Sequence, residues 1–161
     1  MEARIEASGA GGAAAPLQDF LFRRVVAAPV DLAFRAWTSS GCVSAWWGPH
    51  GFANIYTAIE PHPGGRFHVH MQAPDGRIQP IAGHFVEIEA PHRVIFATAQ
   101  SDEHGRIGLE TLNTVTLAAH AAGTEMTVHA RTTGLGPASR SIADDVWRQS
   151  LERLVSILDA I

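Results

Sequence analysis

Lysine is absent from this sequence of 161 residues: all 12 basic residues are arginine, set against 16 acidic ones, and the formal net charge is −4. A partner held mainly through phosphates needs a basic face that releases counterions, so no nucleic-acid partner is expected. Cysteine is nearly absent as well. Cys42 stands alone, which rules out an intramolecular disulfide and a cysteine-cluster metal site and fits a reducing cytoplasm. No His or basic residue lies close to it in sequence to lower its pKa, so it is expected to be a buried structural thiol. No apolar run approaches the roughly 20 residues that cross a bilayer, and residues 1–16 lack the basic start and apolar core of a secretory signal. No membrane partner is expected. Also missing are a Gly-x-Ser-x-Gly elbow, a phosphate loop and a dinucleotide fingerprint, since Gly9-Ala10-Gly11-Gly12 has neither a strand before it nor a helix after it. Nucleophilic and nucleotide chemistry have no support, and no cofactor is expected.

What is present is a folding composition, 46% apolar and 17% charged, at a length typical of one domain. Residues 1–19 are rich in Gly and Ala and read as a flexible tail, and the domain is expected over 20–161. Phe20, Phe22, Val25 and Val26 predict a first strand. Pro29, with Phe34 and Trp37 on one face, predicts a helix, and Val43, Trp46 and Trp47 predict a second short one stopped by Gly48-Pro49. From Phe52 to Thr133 the period is two, with turn signals at Pro63-Gly64-Gly65, Pro74-Asp75-Gly76, Ala90-Pro91, His104-Gly105 and Ala122-Gly123. That pattern predicts an antiparallel meander with one apolar and one polar face. From Ala138 to Ile161 there is no Gly or Pro, and Trp147, Leu151, Leu154 and Leu158 form one helical stripe that would cover the sheet. The fold class is α+β: strand, two helices, about six strands, long helix.

This order resembles the helix-grip fold of the START and polyketide-cyclase-like superfamily, often called SRPBCC, in which a curved sheet of six to seven strands wraps a long C-terminal helix. The motifs that narrow the resemblance are Ala28-Pro29, Phe34-Arg35-Ala36-Trp37-Thr38, Trp46-Trp47-Gly48-Pro49, Pro63-Gly64-Gly65-Arg66-Phe67, Pro74-Asp75-Gly76, Gly83-His84-Phe85-Val86-Glu87-Ile88, Pro91-His92-Arg93-Val94-Ile95-Phe96 and the Trp147 to Leu158 stripe. In this order they are similar to bacterial proteins resembling the C-terminal domain of the activator of the heat-shock protein 90 ATPase. The family usually has Asp and Arg ahead of the Pro-Gly-Gly turn. Here Glu60 and His62 stand there, which predicts a looser, pH-dependent pairing, and His68 replaces a usual Arg or other polar residue. No chaperone-binding N-terminal domain is seen in this sequence, so the resemblance implies no chaperone role.

His68 and His70 share a face two residues apart, and His84 on the next strand is the best third metal ligand. Both are out of phase with Phe67, Val69 and Met71, so surface histidines are the preferred reading and no metal is expected. Glu60, His84 and Glu87 are weighed as pocket groups, and His84 and Glu87 are the only candidates for acid–base catalysis. The inward phase of strand 81–89 stays open, because Phe85 lies on one side while Val86 and Ile88 straddle the other.

The resemblance implies a cavity under the long helix, and large aromatics there either line it or fill a core. The expected function is binding of a small hydrophobic molecule, with walls from Trp47, Phe67, Val69, Met71, Phe85, Phe96, Val128, Trp147 and Leu151, in a monomer or homodimer. Two alternatives stand beside it. One is a cyclase or dehydratase using His84 or Glu87, which needs an ionisable pair facing the cavity. The other is a chaperone-related interaction module, which needs an exposed apolar patch on an outer face that His68, His70, Thr116, His129 and Arg131 make polar.

Overall fold

A computed structural model of the protein describes residues 18–101, 104, 107–133 and 140–161, and the side chains of 107 and 140–143 are outside the description. Phe20, Phe22 and Val26 are buried between more exposed neighbours along β1 (Gln18–Val26). The strand takes in Gln18 and Asp19, ahead of the expected domain start at Phe20, because the Asp19 carboxylate accepts from His129 Nε2 at 3.0 Å and pairs with Arg131 at 3.5 Å. The expected tail otherwise lies outside the described residues.

The Pro29 carbonyl accepts from Leu32 and Ala33 and opens α1 (Val30–Thr38), which buries Ala33, Ala36 and Trp37. Next comes α2 (Ser40–Trp46), with Val43 and Trp46 buried. The indoles of Trp37 and Trp46 meet edge to face at 4.7 Å, and Trp46 Nε1 donates to the Ala36 carbonyl. Gly48, at φ +97°, turns the chain out of α2; a Cβ there would sit 2.9 Å from the Met71 sulfur.

The meander follows as β2 (Ala53–Ile59), β3 (Phe67–Gln72), β4 (Ile78–Glu89), β5 (Arg93–Ser101), β6 (Ile107–His120) and β7 (Gly123–Thr133). With β1 they form one antiparallel sheet in the order β1-β7-β6-β5-β4-β3-β2. A single row crosses it in register: Phe20, Ala130, Asn113, Phe96 and Phe85. A bulge between Phe85 and Glu87 shifts the phase of β4. The burial of Ile81 and Phe85 and the exposure of His84 set the phase before the bulge, with Phe85 inward and His84 outward. At Gly83 a Cβ would lie 2.1 Å from the Ala97 carbonyl oxygen, so only glycine lets the two strands approach there.

The long helix α3 (Arg140–Asp159) crosses the concave face and buries Leu151, Leu154, Val155 and Leu158. The two residues before it, at the start of the expected helix, lie outside the described residues. Among the described residues the architecture is the helix-grip arrangement of seven strands and three helices.

Candidate functional site

Aromatic rings form an arch between α3 and the sheet. Trp147 stacks on Phe20 at 6.1 Å and meets Trp47 edge to face at 5.7 Å, and Trp47 reaches Phe96 at 6.3 Å. One foot stands on β1 and the other on β5, three strand spacings or about 14 Å apart. Between the feet, in the same row of the sheet, lie the small Ala130 and Asn113. Behind the second foot, Phe67 stacks on Phe96 at 4.2 Å and meets Phe85 at 5.7 Å. The structure thus joins five expected wall residues in one ring cluster: Trp47, Phe67, Phe85, Phe96 and Trp147. Val69, Met71, Val128 and Leu151 belong to the same core.

Phe67, Val69, Phe85, Phe96, Val128 and Leu151 have no accessible surface and form the packed part of the core under the arch. Trp47 and Met71 keep a little surface, and Trp147 is only half-buried. The rings of the arch that keep accessible surface are therefore at the Trp47–Trp147 end.

Two polar features were missed in the sequence. Asn113 is fully buried, and its Nδ2 donates to the Phe96 carbonyl at 3.1 Å. It stands two residues before Val115, so the strand period was the signal that could have placed it inside. Arg153 donates to the carbonyls of Ala45, Trp47 and Gly48 at 3.2, 3.3 and 3.0 Å. A cation thereby meets the carbonyl end of α2. Its partners are more than a hundred residues away, and no local signal marks it.

The expected ionisable candidates lie elsewhere. His84 is exposed, on the opposite side of β4 from Phe85, in a bridge to Arg66. Glu87 accepts from the Arg93 guanidinium at the outer end of the same strand pair. Neither faces the arch. His68 and His70 are half-buried on the outer side of β3. Burial, followed by the nearby charges of Arg66 and His70, pushes the His68 pKa down, so its neutral form is favoured. Among the described residues, no three His, Cys, Asp or Glu side chains converge.

Glu60 pairs with Arg66 and not with His62, which corrects the looser pairing expected there. Arg66 donates its Nε at 3.1 Å, its Nη2 at 2.9 Å and its backbone N–H at 3.0 Å. These hydrogen bonds lower the Glu60 carboxyl to about 2. The His62 ring instead lies 3.2 Å from the Pro63 carbonyl. Cys42 is half-buried instead of buried, since α2 packs through Val43 and Trp46.

On the outside, an open cleft of about 730 Å³ is bordered by Phe52, His70, Arg77, Ile78 and Gln79. Another of about 550 Å³ lies between α1 and the Ala90-Pro91 turn. The exposed large apolar side chains, among them Leu21, Ile55, Ile78 and Ile157, are spread over β1, β2, β4 and α3. Among the described residues, no helix is long and apolar enough to cross a membrane.

Comparison with known proteins agrees with this architecture. A protein from Rhizobium leguminosarum is 21% identical and superposes with a TM-score of 0.79 over 91% of this chain and 97% of its own. One from Rhodobacter sphaeroides is 26% identical, with a TM-score of 0.72 over 89% and 93%. The AHSA1 protein from Silicibacter pomeroyi is 20% identical, with a TM-score of 0.73 over 87% and 96%. No curated protein matches the sequence. The sequence profile described as Activator of Hsp90 ATPase homolog 1-like protein matches residues 27–159. That span runs from the turn before α1 to the last residue of α3 and takes in both Trp47 and Trp147, and the chain accordingly belongs to the activator of Hsp90 ATPase homolog 1-like family, within the SRPBCC superfamily.

Proposed function

We propose that the protein binds a small hydrophobic molecule between the concave sheet and the first half of α3, with Trp47 and Trp147 at the entrance. The fold is one that commonly binds hydrophobic ligands. The observation that carries the reading is the aromatic arch itself. It is a contiguous apolar surface whose outermost ring, Trp147, is only half-buried and belongs to the helix that covers the sheet. A ligand that displaces this ring buries its own apolar area at about 25 cal/mol per Å² against the same neighbours. A cyclase or dehydratase would need an ionisable pair at the arch, and His84 and Glu87 both point away from it.

The test is a titration of the neutral dye N-phenyl-1-naphthylamine into wild type and Trp147→Phe. Saturable one-to-one binding that weakens in the variant, with the fold unchanged, supports the reading. Absence of saturable uptake of a panel of apolar ligands by the native protein rejects it.

A further inference from the structure

We propose that Asn113 is the polar anchor of this site and that its ligand is an apolar molecule carrying one neutral hydrogen-bond donor, a hydroxyl or an N–H. This rests on the arch being the binding site. The Asn113 amide has a determined orientation, because the Phe96 carbonyl only accepts and therefore selects the amide nitrogen, which also lies 3.4 Å from Thr98 Oγ1. Its Oδ1 is left buried, with no donor among the described residues. Buried acceptors are rarely left so, and an orphan of this kind calls for a specific reason. The place supplies one. Asn113 and Ala130 are the two residues between the feet of the arch, in the row from Phe20 to Phe96. A ligand entering in place of the Trp147 indole therefore lands on an unused acceptor.

The donor should be neutral. The inward positions beside Asn113 include Thr98, Thr111, Ala130 and Thr132, all uncharged, and the hydroxyls of Thr111 and Thr132 share one hydrogen bond at 3.0 Å in which either can donate. No charged side chain occupies an inward position on this part of β5, β6 or β7 to compensate a buried charge. Oδ1 also rejects anionic and acceptor-only groups, because it has no proton to give.

Displacement of N-phenyl-1-naphthylamine by three naphthalenes of one ring size tests this: 2-naphthol, 2-methylnaphthalene and 2-naphthoate. By area alone 2-methylnaphthalene, the most apolar, binds best. We expect 2-naphthol to bind about tenfold tighter than 2-methylnaphthalene, the contribution of one hydrogen bond to a buried acceptor, with 2-naphthoate weakest. Asn113→Leu should erase the preference and keep 2-methylnaphthalene binding. Equal affinities of 2-naphthol and 2-methylnaphthalene for wild type overturn the anchor and leave the hydrophobic site standing. So does a preference that survives in Asn113→Leu, and tighter 2-naphthoate binding overturns the neutral class. If none of the three displaces the dye, the site itself is rejected along with its anchor. Should Asn113→Leu fail to fold, Asn113→Asp is the second variant: its anionic acceptor should keep the preference for 2-naphthol and weaken 2-naphthoate further, and a selectivity unchanged from wild type overturns the anchor.

Discussion

From Ser150 to Leu158, α3 is fastened to the rest of the molecule in two ways. Leu151, Leu154, Val155 and Leu158 are buried in the core, and Arg153 and Asp159 tie the helix to the α2 carbonyls and to the Ala27 N–H. From Asp144 to Arg148 the same helix is half-buried or exposed, and its attachments include the Trp147 ring contacts with Phe20 and Trp47 and the Arg148 guanidinium 5.9 Å over the Phe20 ring. One helix thus carries an anchor and a lid. Local opening free energies follow buried apolar contact, so the lid half should open well below the cost of global unfolding. On the proposed reading, that difference is what would let a ligand enter beneath Trp147.

The sharpest way to break the comparison is to cut into the anchor. Leu154→Ala removes a fully buried side chain facing the sheet, and we expect a loss of about 3 to 5 kcal/mol in denaturant unfolding, the range for large-to-small changes at sites that cannot collapse. A loss below about 1 kcal/mol would show that this half is no better packed than the other. Next in size is Arg153→Met, which keeps much of the stem but leaves the carbonyls of Ala45, Trp47 and Gly48 without their cation. Hydrogen bonds to charged groups contribute about 1.5 to 3 kcal/mol, and the lower part of that range is expected, since Arg153 is only half-buried. Amide exchange should quicken from the end of α2 to Gly48; unchanged exchange there would mean that the clamp is idle.

On the lid side the effect should be smaller. A fully buried tryptophan costs about 3 to 5 kcal/mol on truncation to alanine, but Trp147 is half-buried, so Trp147→Ala should cost about 1 to 2 kcal/mol in thermal or denaturant unfolding. A cost equal to that of Leu154→Ala would make α3 uniform and remove the lid.

Legibility in the sequence divides along similar lines. Strand alternation and the Trp147–Leu158 stripe made the strands and the covering helix readable, because each is a local periodicity; of the expected His104-Gly105 turn, Gly105 lies outside the described residues. The inward phase of β4 was unreadable because the bulge after Phe85 breaks the period just where it had to be judged. Of the rings of the arch, Trp47, Phe96 and Trp147 were listed as walls but could not be joined, and Phe20 was read only as part of the first strand, since the four come from distant segments. Glu60 illustrates the same point at shorter range. The sequence suggested His62 beside it, while the turn brings Arg66 back onto its carboxylate.

That pair provides the mildest test, because it separates charge from packing. Glu60 has its carboxyl lowered from the ordinary 4.5 to about 2 by Arg66, on the turn between β2 and β3 and not on α3. A carboxyl with a depressed folded value stabilises the fold above its ordinary pKa, and that stabilisation is lost as the pH falls from 4.5 toward 2. Both side chains are about half exposed, so the loss is small and screened by salt. Wild type should therefore lose a little melting temperature across that window relative to Glu60→Gln, and the two should converge near its lower end. Leu154→Ala and Trp147→Ala both leave the Asp159 carboxylate on the Ala27 N–H, so what separates the two variants is burial, which protons do not alter. The stability gap between them should accordingly stay constant over the same pH range. If it narrows as acid is added, the Asp159 carboxylate couples to Leu154, and the contrast between the halves is electrostatic as well as steric.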